Sequence, residues 1–200
     1  GGNLKNRSRF LMEIVGAIKE VVGPDYPLWV KVNAVEFGLQ GGINLEDTRE
    51  LVKMLQDAGS YAINVTSEGR VYRFSKMAQP AGTDVSLAEA MKKVLKIPVI
   101  AMGRMTPEIA ERTLQEGKAD LVAVGRALLA DPELPNKVAS GRLDDIVPCL
   151  ACEACKNALP SRCTVNASFG RESEYRIKTV GKVKNVVVVG GGPAGLEAAR

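Results

Sequence analysis

The stretch Ile97-Pro98-Val99-Ile100-Ala101-Met102-Gly103-Arg104, with its echo Ala119-Asp120-Leu121-Val122-Ala123-Val124-Gly125-Arg126, decides the fold class. Each is a short apolar run that closes on a Gly-Arg pair. Between them, Pro107 to Glu116 reads as an amphipathic helix. Strands that are apolar throughout are buried on both faces, and their alternation with such helices indicates a parallel α/β sheet.

The same alternation extends outward. Ser8 to Val22 carries Phe10, Leu11, Ile14, Val15, Ile18, Val21 and Val22 at helical spacing, and Gly23-Pro24 ends the run. Leu28 to Asn33 reads as a buried strand, Asn44 or Asp47 caps a helix reaching about Ala58, and Tyr61 to Val65 is the next strand. A loop from Thr66 to about Asp84 leads to a helix over Leu87 to Leu95. The last helical region, Ala127 to Ala139, is punctuated at Asp131-Pro132. Four β/α units in a row suit an open doubly wound sheet or part of a (β/α)₈ barrel equally well.

The polar residues separate these two. Lys31 and Asn33, Ser67, Gly103-Arg104 and Gly125-Arg126 fall at the expected C-terminal ends of successive strands, where a barrel places its active site. Gly-Arg pairs on two adjacent strands match a barrel phosphate site, offering backbone N–H groups and two guanidinium forks to a dianion. Two surface arginines at strand ends are the plain alternative. The expectation is the C-terminal half of a TIM barrel over residues 1–140, its strands 5–8. Lys31, a cation in an apolar strand, is expected to face a ligand. Ser67 and Glu68 are candidates to face substrate, and Met102 and Met105 read as packing residues.

Composition narrows the function classes. The 200 residues are 46% hydrophobic and carry a mild net charge of +4 with both signs interspersed, so no basic stripe suggests nucleic acid. Aromatics make up only 4%, which argues against a base-stacking surface. The longest apolar run, Asn185 to Gly192, is too short to span a bilayer, and the residues from Gly1 to Lys5 are not expected to be a signal peptide, since no apolar stretch follows them. The absence of histidine removes His-based acid–base work and His metal ligands together. All 4 cysteines share one window, which fits a reducing, cytoplasmic compartment better than a disulfide framework.

That window, 141–181, reads Cys149-x₂-Cys152-x₂-Cys155-x₇-Cys163. Three closely spaced thiolates and a fourth from a nearby loop suit a 4Fe–4S cluster. Zinc also takes four thiolates, but a zinc ribbon pairs two separated Cys-x₂-Cys knuckles, which this spacing lacks. Residues 182–200 open a further domain: Lys184 to Val189 reads as a strand running into Gly190-Gly191-Gly192-Pro193-Ala194-Gly195 and a helix. In that context Gly190, Gly192 and Gly195 form a dinucleotide fingerprint, the first β-α of a Rossmann-like domain. FAD and NAD(P) are not separated by this stretch.

Together these residues resemble the old yellow enzyme family. Gly1-Gly2 with Asn6-Arg7-Ser8-Arg9-Phe10 is similar to its "GG…NRxRF" segment, and the two Gly-Arg runs resemble its strands 7 and 8. The cysteines and the Gly190 segment narrow the likeness to the long, multi-domain branch that includes 2,4-dienoyl-CoA reductase and trimethylamine dehydrogenase. The resemblance implies that Lys31 lies at the N1/O2 edge of FMN and that Gly103, Arg104, Gly125 and Arg126 hold its phosphate. It implies that Cys149, Cys152, Cys155 and Cys163 hold the cluster, and that Gly190, Gly192, Pro193 and Ala194 begin an FAD site. The activity implied is NAD(P)H-dependent reduction of an activated alkene, with electrons passing through FAD, cluster and FMN. An amine dehydrogenase is the alternative, and a non-enzymatic zinc-binding module a third. The expected partner is a small-molecule substrate, with a homo-oligomer possible and neither nucleic acid nor membrane. The Cys-x₂-Cys-x₂-Cys spacing is closer to the amine dehydrogenases, and the x₇ interval is shorter than in either group. The catalytic proton donor is expected upstream of residue 1, which makes this 200-residue piece alone catalytically incompetent by expectation.

Overall fold

The computed structural model describes residues 2–69, 79–175 and 181–199. The chain divides into two compact units, Gly1–Phe169 and Gly170–Arg200. The first holds helix α1 (Leu4–Val22), strand β1 (Trp29–Phe37), α2 (Leu45–Asp57), β2 (Ala62–Gly69), α3 (Val85–Lys92), β3 (Val99–Ala101), α4 (Pro107–Gln115), β4 (Leu121–Val122), α5 (Arg126–Ala130), α6 (Leu134–Ala139) and α7 (Ala154–Asn157). The four strands form one parallel sheet in the order β1-β2-β3-β4.

Local chemistry sets the helix starts. The side chains of Asn3, Asn44 and Thr106 accept the backbone N–H groups of Asn6, Asp47 and Ile109, capping α1, α2 and α4, and Pro107 opens α4. Asn44 is thus the cap of α2, and α1 begins four residues before the apolar period shows it. Leu4–Arg7 adds a helical turn in which only Leu4 is apolar, so periodicity alone misses it.

One face of the sheet is covered. Val32 and Ala34, Ile63 and Val65, Val99 and Ala101 pack with Val15, Val52, Leu55, Ala88 and Met91 of α1, α2 and α3. The other face is open among the described residues. Lys31 pairs in register with Asn64, Asn64 with Ile100, and Ile100 with Leu121, forming one row across the sheet. Trp29 and Leu121 on that face remain 62% and 47% exposed. Within the described residues, the expected covering of both faces is seen on one: α1, α2 and α3 feed a single core.

β1 is also longer than the apolar run suggests. A bulge between Asn33 and Val35 leaves Ala34 as the extra residue, and the strand continues to Phe37. The buried Thr48 hydroxyl of α2 donates to the Ala34 carbonyl at 3.0 Å, satisfying the group the bulge turns away from the ladder. Lys31 consequently lies near the start of β1 and not at its end, and its side chain is exposed. The loop expected from Thr66 to Asp84 falls partly on residues 70–78, outside the described residues.

In the second unit, α8 spans Pro193–Ala199. The strand expected over Lys184 to Val189 is not formed: these residues make no ladder, and Val186, Val187 and Val189 are 75%, 86% and 95% exposed. A strand exists only through its hydrogen-bonded neighbours, and among the described residues none is beside it. Gly190 has φ +110°, and a Cβ on Gly195 would run into the Gly190 carbonyl oxygen, so both glycines are required by the turn itself.

A candidate cofactor site beside a four-cysteine pocket

The two Gly-Arg pairs line one cavity of about 460 Å³ at the C-terminal end of the sheet, within the range of small-molecule and cofactor sites. Gly103, Arg104, Gly125 and Arg126 meet there with Thr66, Asp84 and Cys149. The turn after β3 is tightly built. Gly103 has φ +107° and Arg104 φ +50°, two left-handed residues in succession. A Cβ on Gly103 would approach the Asp84 backbone nitrogen and Oδ2 to 3.0 Å, so the turn closes only around glycine. The Arg104 guanidinium donates to the carbonyl of Gln79. A non-glycine residue held left-handed stores strain that its surroundings must over-determine, as binding turns commonly do.

Asp84 was not legible as part of this site. It is 2% exposed and accepts the Ser67 hydroxyl at 2.6 Å. Ser67 is therefore buried at the end of β2, bonded to Asp84, and its neighbour Thr66 lines the cavity in its place. Lys31 does not line the cavity; it stands on the open sheet face.

The cysteine segment packs on the same end of the unit. Cys149, Cys152, Cys155 and Cys163 are all free thiols and all line one smaller pocket, together with Arg126, Glu153 and Thr164. Among the described residues, no three Cys, Asp or Glu side chains gather closely enough to hold a single metal ion as they stand. Ala151 and Glu153, on either side of Cys152, are left-handed at φ 54° and 59°. The Ala151 N–H donates to Cys149 Sγ at 3.4 Å, and Cys152 Sγ lies 2.7 Å from the Thr164 hydroxyl. That hydroxyl first, then the Ala154 N–H, hold the Cys152 thiol below its ordinary pKa.

Two polar anchors fix this segment, and neither is visible as a motif. Asp131, 4% exposed, accepts Lys137 Nζ at 2.6 Å, the Val147 N–H at 2.9 Å and the Glu133 N–H at 3.1 Å. Burial pushes this carboxyl up, but Lys137 and the Val147 N–H outweigh it and hold it below its ordinary value of 3.8. At the far end, the Asn166 amide donates to the Leu129 carbonyl at 2.8 Å. Asp131-Pro132 thus does more than punctuate a helix: it ties α5 and α6 to the approach of Cys149.

A parallel α/β unit with strand-end glycines and arginines around a cavity of this size defines a protein of the cofactor-binding α/β class. Residues 1–145 match the NADH:flavin oxidoreductase / NADH oxidase family, and the chain belongs to it. The chain is 45% identical to an NADH oxidase of Thermoanaerobacter brockii, over all of this chain and 32% of that protein. It superposes on a 2-naphthoyl-CoA reductase in complex with 2-naphthoyl-CoA with TM-score 0.91 and 36% identity, covering 100% of this chain and 32% of that one. It superposes on a histamine dehydrogenase from Rhizobium sp. 4-9 with TM-score 0.84 and 31% identity, covering 99% of this chain and 30% of that one. The chain thus spans about a third of the length of the proteins it resembles. The family is one of oxidoreductases, with both reductases and amine dehydrogenases among the relatives. No helix among the described residues is long and apolar enough to cross a membrane.

Proposed function

We propose that this chain is part of an NAD(P)H-dependent flavin and iron–sulfur oxidoreductase that reduces activated C=C bonds. One observation carries the reading: Arg126 and Cys149 line both the Gly-Arg cavity and the four-cysteine pocket. A phosphate-type site and a thiol-rich site thus share a wall.

The residues suit the groups assigned to them. Arg104 and Arg126 would hold the FMN phosphate, with Gly103 closing the turn against Asp84 and Gly125 leaving open space for it. The four thiols ring one pocket without converging on a point. The Cys149-x₂-Cys152-x₂-Cys155-x₇-Cys163 spacing suits a 4Fe–4S cluster better than the paired knuckles of a zinc ribbon. Left-handed Ala151 and Glu153 flank Cys152, and the Ala151 N–H donates to Cys149 Sγ, as in the nests that bind anions and iron–sulfur groups. When bound, these groups would supply stepwise electron transfer from a reduced dinucleotide to the substrate carbon. Gly190, Gly192, Pro193, Ala194 and Gly195 would begin the FAD site.

Sequential strand order with helices over one face favours a barrel half over a doubly wound sheet, in which the order reverses and both faces are covered. The open face carrying Lys31, Asn64 and Ile100 would then be barrel interior, with Lys31 offering a cation to the ring edge of the flavin. An unsaturated acyl thioester is favoured as substrate because the likeness to the 2-naphthoyl-CoA reductase exceeds that to the histamine dehydrogenase in identity and TM-score. The test is anaerobic purification of the intact protein with absorption spectra, iron analysis, and assays of thioester reduction against amine oxidation. Yellow-brown protein with iron, oxidising NAD(P)H with an enoyl thioester, is the expected result. A colourless zinc protein overturns the reading, and amine oxidation without alkene reduction moves it to the amine dehydrogenases.

A further inference from the structure

Glu153 stands in an unfavourable place for its residue type. It lies between Cys152 and Cys155 with φ 59°, and its carbonyl accepts the Lys156 and Asn157 N–H groups that start α7. A turn of this kind suits Gly or Asn, which enter the left-handed region at low cost. On backbone grounds alone Glu is a poor choice, so its side chain is where the reason lies.

That side chain points at Arg126. Its Oε1 lies 3.8 Å from Arg126 Nη1, and the two side chains are only 20% and 30% exposed. Arg126, like Cys149, belongs to both walls: it lines the Gly-Arg cavity on one side and the four-cysteine pocket on the other. A phosphate in the first and a thiolate-held group in the second would be two anionic sites sharing one cation. Partial burial weakens solvent screening, so a charge at this position is felt by both.

We propose that Glu153 is a positioning and charge-balancing residue that pairs with Arg126 to set the reduction potential of the group held by the four cysteines. The proposal rests on the assignment of those cysteines to a 4Fe–4S cluster. The potential of such a cluster depends on the net charge around it. The Glu153 carboxylate offsets the Arg126 cation and keeps the added electron from being over-stabilised. Removing the carboxylate alone leaves an unbalanced cation beside the cluster, removing the guanidinium alone leaves an unbalanced anion, and removing both restores balance.

The experiment is an anaerobic redox titration of the intact holoenzyme, followed by the electron paramagnetic resonance signal of the reduced cluster, with iron and FMN content measured in parallel. Glu153→Gln raises the cluster midpoint potential, Arg126→Gln lowers it, and the double variant returns close to wild type. Glu153→Asp, which keeps the charge, stays close to wild type, and Glu20→Gln on α1 leaves the potential unmoved. An unchanged potential in Glu153→Gln with normal iron and FMN overturns the proposal, as do shifts of the same sign in the two single variants. If Glu153→Gln sheds its iron, the double variant decides: retained iron at the wild-type potential supports the pair, and continued loss overturns it. Wild-type protein without iron would instead sink the cluster assignment on which the proposal stands.

Discussion

The cysteine segment and the glycine-rich turn are both motifs of similar clarity, yet the structure treats them differently. The segment from Val147 to Ser168 is fastened to α5 and α6 by Asp131 and Asn166, and its cysteines share a pocket. The turn from Gly190 to Gly195 has its local geometry in place, but Val186, Val187 and Val189 before it are exposed and form no ladder. A motif dictates what a loop does with its own backbone. Whether the loop is held depends on buried partners elsewhere in the chain.

The largest expected effect breaks that fastening. In Asp131→Ala, the Lys137 ammonium and the Val147 N–H lose their buried acceptor, which costs about 3 kcal/mol in chemical denaturation of the intact protein. On the proposed cluster assignment, iron content falls with it, because Val147 leads directly into Cys149. A pH series sharpens the point. The Asp131 carboxyl sits below its ordinary 3.8 in the folded chain, so its contribution is complete above that value and is lost as pH falls through the lower folded value. In Asp131→Asn, that acid-limb slope flattens. An unchanged slope would mean that the segment is held by something other than Asp131.

Much of this was readable from residues and much was not, for physical reasons. The apolar runs ending at Gly103-Arg104 and Gly125-Arg126 show the parallel α/β plan, since each strand carries its own apolar pattern. The spacing of Cys149, Cys152, Cys155 and Cys163 identifies a thiol site for the same reason. Asp84 and Asp131 were opaque because each acts on residues 17 and 16 positions away, and a carboxylate without its partner looks like a surface charge. Lys31 was misplaced because the bulge at Ala34 extends β1 by local geometry that composition does not signal.

The two Gly-Arg pairs supply the next comparison, of intermediate size. Gly103→Ala forces a side chain onto φ +107° and against the Asp84 backbone at 3.0 Å. The left-handed strain alone is roughly 1–2 kcal/mol, and FMN affinity drops with the displaced turn. Gly125→Ala meets nothing within 4 Å, and its stability stays within about 0.5 kcal/mol of wild type. Denaturation and flavin titration of both variants measure the asymmetry. Equal losses would show that the cavity depends on open space at Gly125 as much as on closure at Gly103.

The smallest effect comes from a carboxylate that resembles Asp131 in one respect only. Glu172, in the second unit, accepts the Gly170 N–H at 2.9 Å, and this bond first, then its own N–H, hold its carboxyl below the ordinary value. The direction is that of Asp131, but Glu172 is exposed and water replaces the lost acceptor at once. Glu172→Gln should leave the denaturation midpoint and its pH dependence where they were. A measurable loss would show that 170–175 is buried against something in the intact protein. It would also remove the contrast between a buried carboxylate and an exposed one, since the same lowered carboxyl would then mark a structural anchor at both Asp131 and Glu172.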